Sequence, residues 1–272
     1  MRVLAINDIS CVGKCSLTVT LPILSACGIE CNVLPTAVLS THTGGFEGYT
    51  FHDLTGEIPQ ILKHWKRLGL TFDYICSGYL GSIEQIEMVQ SIKQEFLAPN
   101  GKFIVDPVMG DGGKLYAGFT PEYVEKMREL CKKADFILPN VTEACFLADL
   151  PYPLTLQTAD AALQNLTKLC AHPIITGITD DNGVSVCYTG ENGELCTYSH
   201  KHIHGFFHGA GDVFTSAFLG AIASGKEEAT AIHLASDFAA DSILRSAKEV
   251  PDKRYGLNFE AEIFSFLKKL NS

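Results

Sequence analysis

Short runs of β-branched and large apolar residues alternate, up to about residue 176, with longer stretches in which apolar residues recur every three or four positions. The runs at 3–6, 31–34, 74–77, 103–105, 136–138 and 174–176 predict buried strands, being short, apolar and bounded by turn-forming residues. Helical spacing between them predicts helices over about 16–27, 57–68, 83–96, 121–132 and 159–171, with Pro22 kinking the first or marking a later start. Strand–helix alternation of this kind predicts an α/β fold, a doubly wound, mostly parallel sheet with helices on both faces. Beyond Thr176 the pattern changes. Two strand-like runs, 184–188 and 195–199, flank the turn-rich segment 189–194 and predict an antiparallel edge hairpin. Helical spacing returns at about 212–224, 227–245 and 259–270. No Pro/Gly/Ser-rich linker, repeat or low-complexity tract interrupts the 272 residues, so one domain over 1–272 is expected.

Composition narrows the classes of function. The net charge is −10 with no basic block, which argues against nucleic acid as a partner and requires any anionic ligand to be held by local backbone donors. No apolar run approaches the roughly 18–20 residues of a membrane span, and Asn7 and Asp8 interrupt the amino-terminal apolar stretch, so the expected location is the cytoplasm, with no membrane partner. The ten cysteines read as reduced thiols, because a chain of this length builds a core without disulfides. Cys11/Cys15 and Cys27/Cys31 are spaced C-x3-C, but no C-x2-C knuckle or paired histidines accompany them as a zinc site would require.

In open α/β sheets ligands bind beyond the carboxyl ends of the strands, and the unusual residues of this chain gather there. The strand at 103–105 runs into Asp106-Pro107-Val108-Met109-Gly110-Asp111, the next into Pro139-Asn140-Val141-Thr142-Glu143, and the next reaches Thr176-Gly177. Acids on adjacent strand ends suit a hydrated Mg2+ beside a nucleotide. Each also has a plainer role: Asp106 can stop a strand, Asp111-Gly112-Gly113 can turn, and Asn140 with Glu143 can cap a helix. The segment His208-Gly209-Ala210-Gly211-Asp212 opens an apolar helix. Its small residues let backbone N–H groups close on a phosphate, with Asp212 placed to take a proton; a helix start with Asp212 as N-cap is the alternative, and the residues alone leave both open. Gly13-Lys14 does not make a P-loop, since Asp8 stands where a glycine is needed and Cys15 where Ser or Thr is needed. The loop Ser40-Thr41-His42-Thr43-Gly44-Gly45-Phe46 has the hydroxyls, glycines and aromatic of a segment covering a substrate, although His42 alone reads as a turn histidine. Tyr79 could face a flat ring or pack in the core.

Taken together, these segments resemble the ribokinase superfamily and, within it, the vitamin B6 (pyridoxal/pyridoxamine) kinases, nearly end to end. Gly209-Ala210-Gly211-Asp212 is similar to the superfamily's Gly-x-Gly-Asp signature, and Asp106 to Asp111 to the Asp-Pro-Val-x-Gly-Asp segment. Pro139 to Glu143 is similar to Pro-Asn-x-x-Glu, Ser40 to Gly44 to Ser-Asn-His-Thr-Gly, and Gly78-Tyr79 to the Gly-Tyr at the ring site. The resemblance implies a ribokinase-like fold and transfer of the γ-phosphoryl group of ATP to the 5′-hydroxymethyl of pyridoxal, pyridoxamine or pyridoxine. It implies Asp212 as base and Gly209, Ala210 and Gly211 as the anion hole. Asp106, Asn140, Glu143, Thr176 and Gly177 would lie on the nucleotide side, and Asp106, Asp111 and Glu143 at Mg2+. Asp8, Thr43, Tyr79 and Val108 would frame the pyridine. Homodimerisation is implied, and a monovalent cation such as K+ is left open.

Three departures stand out. Asp8 replaces a common substrate-touching Ser and is similar to the hydroxymethylpyrimidine kinases, Gly45 replaces a common aromatic, and Ala210 replaces a common Thr. A hydroxymethylpyrimidine kinase on the same fold is therefore the alternative enzyme. A sugar kinase would need a β lid for which residues 7–57 leave no room, and a non-catalytic B6 carrier would have no use for Asp212.

Overall fold

A computed structural model describes residues 1–181 and 183–272. The strands are β1 (Arg2–Ser10), β2 (Glu30–Leu39), β3 (Phe51–Asp53), β4 (Phe72–Ser77), β5 (Leu97–Val105), β6 (Gly110–Asp111), β7 (Lys114–Leu115), β8 (Phe136–Ile137), β9 (His172–Thr179), β10 (Val184–Thr189) and β11 (Leu195–His200). The helices are α1 (Leu17–Ala26), α2 (Ile58–Leu68), α3 (Ile83–Phe96), α4 (Pro121–Cys131), α5 (Val141–Ala148), α6 (Leu156–Leu166), α7 (Ala210–Ala223), α8 (Glu228–Glu249) and α9 (Ile263–Leu270). Nine strands form one sheet in the order β11-β10-β9-β8-β5-β4-β1-β2-β3, and β6 and β7 form a separate two-stranded ribbon. The six strands from β9 to β2 are parallel, and the expected hairpin β10–β11 closes one edge antiparallel. The other edge differs from the sequence expectation: β3, a fully exposed three-residue strand, pairs antiparallel with β2. Its pattern carries no apolar signal, because an edge strand covered by neither face has none to carry.

Alternation along each strand divides the apolar residues between two cores, one on each face of the sheet. Leu4, Ile6, Phe103 and Val105 point toward the face covered by α2 to α6, while Val3 and Ile104 point toward α1, α7, α8 and α9. Burial on both faces is why these strands read as continuous apolar runs rather than alternating ones. In β9 the parity breaks. Ile174 lies in one core, but Ile175 and Ile178, three apart, share the other, because Thr176 and Gly177 form a bulge where the register with β10 shifts. Pro22 lies inside α1, as expected. Helix α7 is buried almost throughout, and Gly220 lets it approach α1 closely, since a Cβ there would meet Cys27 Sγ at 2.9 Å. The element carrying Asp212 is thus clamped between the sheet and its neighbours.

All ten cysteines are free, as the composition implies. Among the described residues no helix is long and apolar enough to cross a membrane. In the core under α2 and α3, Phe72 is 2% exposed, with its ring 5.8 Å from Trp65 and 6.5 Å from Phe96. Phe72→Ala leaves a cavity these large neighbours cannot fill, so a loss of about 3–5 kcal/mol in unfolding free energy is expected from urea denaturation.

Candidate active site

The carboxyl ends of the parallel strands form one rim, and the polar segments singled out in the sequence meet on it. Where β1 pairs with β2 the register slips between Asn7 and Ile9, leaving Asp8 without a ladder partner. Asp106 follows β5, Asn140 follows β8 and bridges to Thr176, and the β9 bulge presents Thr176 and Gly177, the latter at φ 81°. Bulges commonly re-aim residues beside binding sites.

Gly209, at φ 80°, is the N-cap of α7, and Asp212 stands three residues into the helix. Asp212 is therefore not the N-cap that the plainer reading allowed. A Cβ on Gly209 would meet the Lys14 carbonyl oxygen at 2.2 Å, so only glycine permits the loop after β1 to pack against this turn. In the first helical turn the N–H groups of Ala210, Gly211 and Asp212 have no intrahelical acceptor and face the helix's positive end. Asp212 is half-buried. Burial pushes its pKa up to about 7, with the Asp106 and Asp8 charges adding to the rise; hydrogen bonding from the Ser16 N–H and the Asn7 side chain opposes it.

A cavity of about 10 Å³, room for about one water, lies behind this carboxylate, lined among others by Asn7, Thr20, Ser77, Asp106, Asp212 and Thr215. The Thr215 hydroxyl donates to Asp106 Oδ2 at 2.8 Å, and burial raises the Asp106 pKa to about 6. Ser77 Oγ is buried without a hydrogen-bond partner among the described residues. Thr215 and Ser77 went unnoticed in the sequence. Thr215 had a legible signal, lying three residues after Asp212 and so on the same helical face, whereas Ser77 had none.

The plainer reading of Asn140 and Glu143 is correct as far as it goes. They form a reciprocal capping box at α5, with the Asn140 side chain accepting from the Glu143 N–H at 3.0 Å and Glu143 Oε2 from the Asn140 N–H at 2.9 Å. Glu143 Oε1 also accepts from the Met109 N–H at 3.1 Å, which ties the segment after β5 to α5. Burial, and then the neighbouring Asp106, push the Glu143 pKa well up, although the backbone donors oppose this. Asp111 is exposed on the β6–β7 ribbon, where its Oδ1 accepts the Gly112 N–H at 2.7 Å. Among the described residues no group of three or more His, Cys, Asp or Glu could hold a metal by itself. The donor set still fits a hard cation, since Asp106 and Glu143 are close, buried and of like charge, and both bring oxygen ligands.

On the other side of Asp212, Asp8 is 6% exposed and accepts from the Ser10 hydroxyl at 3.0 Å and from the Ser16 hydroxyl. Burial raises its pKa against these bonds. Ser16 itself takes φ 58°, a left-handed value uncommon outside glycine, and serves Asp8 instead of capping α1. Tyr79 is half-buried, its ring stacked 5.9 Å from Phe119, and Val108 is half-buried on the segment after β5. Thr43 is exposed in its loop, whereas His42 is 6% exposed. His42 Nδ1 accepts the Gly44 N–H at 3.0 Å, so Nε2 carries the proton and donates to the Arg254 carbonyl. This histidine fastens the polar loop to the carboxy-terminal segment, a structural role in keeping with the turn reading. Cys15 lies beside Gly209, where burial, with Asp212 and Asp8, pushes its thiol pKa far up.

The raised acids predict a pH dependence. Asp106 and Asp212 hold protons in the folded state up to about 6 and 7, while the unfolded chain releases them near 3.8. Between about pH 4 and 7 the folded state binds more protons, so these two groups make stability fall as pH rises through that window. The fall in urea midpoint between pH 5 and pH 7.5 is expected to be smaller in Asp212→Asn than in the parent.

Residues 24–255 match the phosphomethylpyrimidine kinase family. The structure of pyridoxal kinase from Lactobacillus plantarum aligns with a TM-score of 0.91 at 31% identity, over 98% of this chain and 96% of that one. A Bacteroides thetaiotaomicron VPI-5482 protein provisionally named a phosphomethylpyrimidine kinase, crystallised in an orthorhombic form with pyridoxal, gives a TM-score of 0.91 at 36% identity, over 100% of this chain and 96% of that one. The pyridoxine kinase of Bacillus subtilis (strain 168) is 30% identical over 190 residues, which are 65% of this chain and 66% of that protein. With this fold and these matches, the chain belongs to the phosphomethylpyrimidine kinase family of ribokinase-like phosphotransferases.

Proposed function

We propose that this protein transfers the γ-phosphoryl group of ATP to the 5′-hydroxymethyl of a B6 vitamer, pyridoxal, pyridoxamine or pyridoxine. The observation that carries the reading is Asp212, a half-buried carboxylate with its pKa near neutrality on the first turn of α7, beside helix N–H groups. A base in that range is matched to accepting a hydroxyl proton at neutral pH. The pyridoxal in the Bacteroides crystal form and the kinases among the relatives support the choice of acceptor.

In this mechanism Asp212 takes the proton of the acceptor hydroxyl as its oxygen attacks the γ-phosphorus. The N–H groups of the Gly209-Ala210-Gly211 turn stabilise the charge that spreads over the transferring oxygens. Asn140, Thr176 and Gly177 line the nucleotide side. Asp106 and Glu143, with Asp111 at the rim, would hold Mg2+, which when bound supplies charge neutralisation on the phosphate oxygens. Tyr79, Val108, Thr43 and Asp8 frame the pyridine. Asp8 acts with its carboxylate already held by Ser10 and Ser16, which fixes its orientation toward the ring. Asp8 is also the observation that favours a second reading, hydroxymethylpyrimidine as acceptor, because an acid here is similar to that branch of the family. The resemblance further supports a homodimer working in the cytoplasm; light scattering of the purified protein tests the dimer.

Asp212→Asn keeps the shape but removes the base, and kcat is expected to fall by about 10²–10⁴-fold with the fold intact. ADP release with the three vitamers and with hydroxymethylpyrimidine, in the presence and absence of EDTA, measures this. Turnover by a folded Asp212→Asn at the parental rate would remove Asp212 as base, and preference for hydroxymethylpyrimidine would select the second reading. EDTA is expected to abolish turnover.

A further inference from the structure

Asn7 was not among the residues singled out in the sequence, yet its buried side chain reaches three parts of the site. It is 7% exposed at the end of β1. Its Oδ1 accepts the Tyr79 N–H at 2.8 Å and the Asp8 N–H at 3.0 Å. Two backbone donors on one oxygen fix the amide, so Nδ2 must point away from them as a donor. It lies on the cavity that Asp212 also lines, and its hydrogen bonding acts on the Asp212 carboxylate. Space for the amide is made by Gly78, where a Cβ would meet Nδ2 at 2.3 Å and Cγ at 2.6 Å. Gly78 has no left-handed φ, so room for Asn7 is the reason the structure gives for glycine there.

From this geometry we infer that Asn7 is the positioning residue that sets the distance between the acceptor hydroxyl and Asp212. Its oxygen holds the two segments that frame the ring, Tyr79 and Asp8, and the same side chain lines the small cavity beside the base. One amide thus joins the substrate frame to the wall against which Asp212 sits. The inference rests on the kinase reading, with Asp212 as the base. Asn7 itself touches no reacting atom and acts through Asp212.

A double-mutant cycle in the full-length protein, with pyridoxal as acceptor, tests it. Asn7→Leu is close in size but has neither arm. In the parent it is expected to lower kcat by about 10–100-fold, the range for a lost hydrogen bond to a charged group, and to weaken pyridoxal binding measured by calorimetry without nucleotide. In the Asp212→Asn background the same change is expected to alter kcat by less than about twofold, because the group through which it acts is gone. Equal losses in both backgrounds, or no loss in the parent, would overturn the inference. Gly78→Ala covers the case in which Asn7→Leu does not fold: it keeps every polar group and displaces the amide, and the same background dependence is expected. A parent enzyme that releases no ADP with any vitamer or with hydroxymethylpyrimidine would overturn the kinase reading itself. Activity in the parent with multiplicative losses would overturn only the role of Asn7.

Discussion

The site depends on bringing four buried or half-buried carboxylates, Asp8, Asp106, Glu143 and Asp212, onto one rim. Burial is the largest cause of the rise in pKa for each of them. Like charges so placed oppose folding unless protons, hydrogen bonds or a cation offset them. The structure supplies hydrogen bonds selectively. Glu143 receives three backbone N–H groups, Asp8 two serine hydroxyls, Asp212 the Ser16 N–H and the Asn7 side chain, and Asp106 one threonine hydroxyl. By this count Glu143 is the most firmly held of the four and Asp106 the least, with Thr215 on Oδ2 as its one side-chain donor among the described residues. Acids gathered in this way are offset by cations or proton donors, which agrees with the proposed site for a nucleotide and a hydroxyl acceptor.

Interruptions in the sheet bring Asp8, Thr176 and Gly177 to the same rim. A perfectly regular β1–β2 ladder would keep Asp8 in register with β2, and a regular β9–β10 ladder would leave Thr176 and Gly177 as ordinary ladder residues. Both ladders slip at these points. The irregularities cost pairing, but two apolar cores hold the same strands on either side of the slips. Strain at Ser16 has the same origin, since its left-handed backbone persists because β1, α1 and the Asp8 bond together determine it.

Much of this was legible in the residues, for identifiable reasons. Strands buried on both faces leave uninterrupted apolar runs, so the parallel centre of the sheet was readable, as was the hairpin with its turn-rich loop. Strand β3 was not, because an exposed edge strand has no apolar face. Acids at strand ends were readable as chemistry, but how far the fold already satisfies each of them was not. That depends on which hydroxyl or N–H reaches which oxygen, a tertiary fact. Glu143 illustrates the point: the capping pattern with Asn140 was visible, whereas its second bond, to the Met109 N–H, joins residues 34 apart. Asn7 was read only as an interruption of a hydrophobic stretch, since one polar residue ending a strand has no pattern of its own.

Three glycines near the site, Gly13, Gly44 and Gly78, act as clearances for polar side chains. A Cβ on Gly13 would meet the His42 ring at 2.2 Å, and one on Gly44 the His208 ring at 2.4 Å. In sequence such glycines suggest a mobile, phosphate-cradling loop, which is why Gly13-Lys14 invited comparison with a P-loop. In the fold the first of them seats the side chain that ties the polar loop to Arg254, and a larger residue would push that side chain aside. Close packing against small residues therefore fastens this loop at His42, and in the proposed function its hydroxyls meet the ring from a loop that is already tied down at that end. An acceptor site prearranged in this way spends little binding energy on ordering the loop, leaving more of it for aligning the hydroxyl with the base.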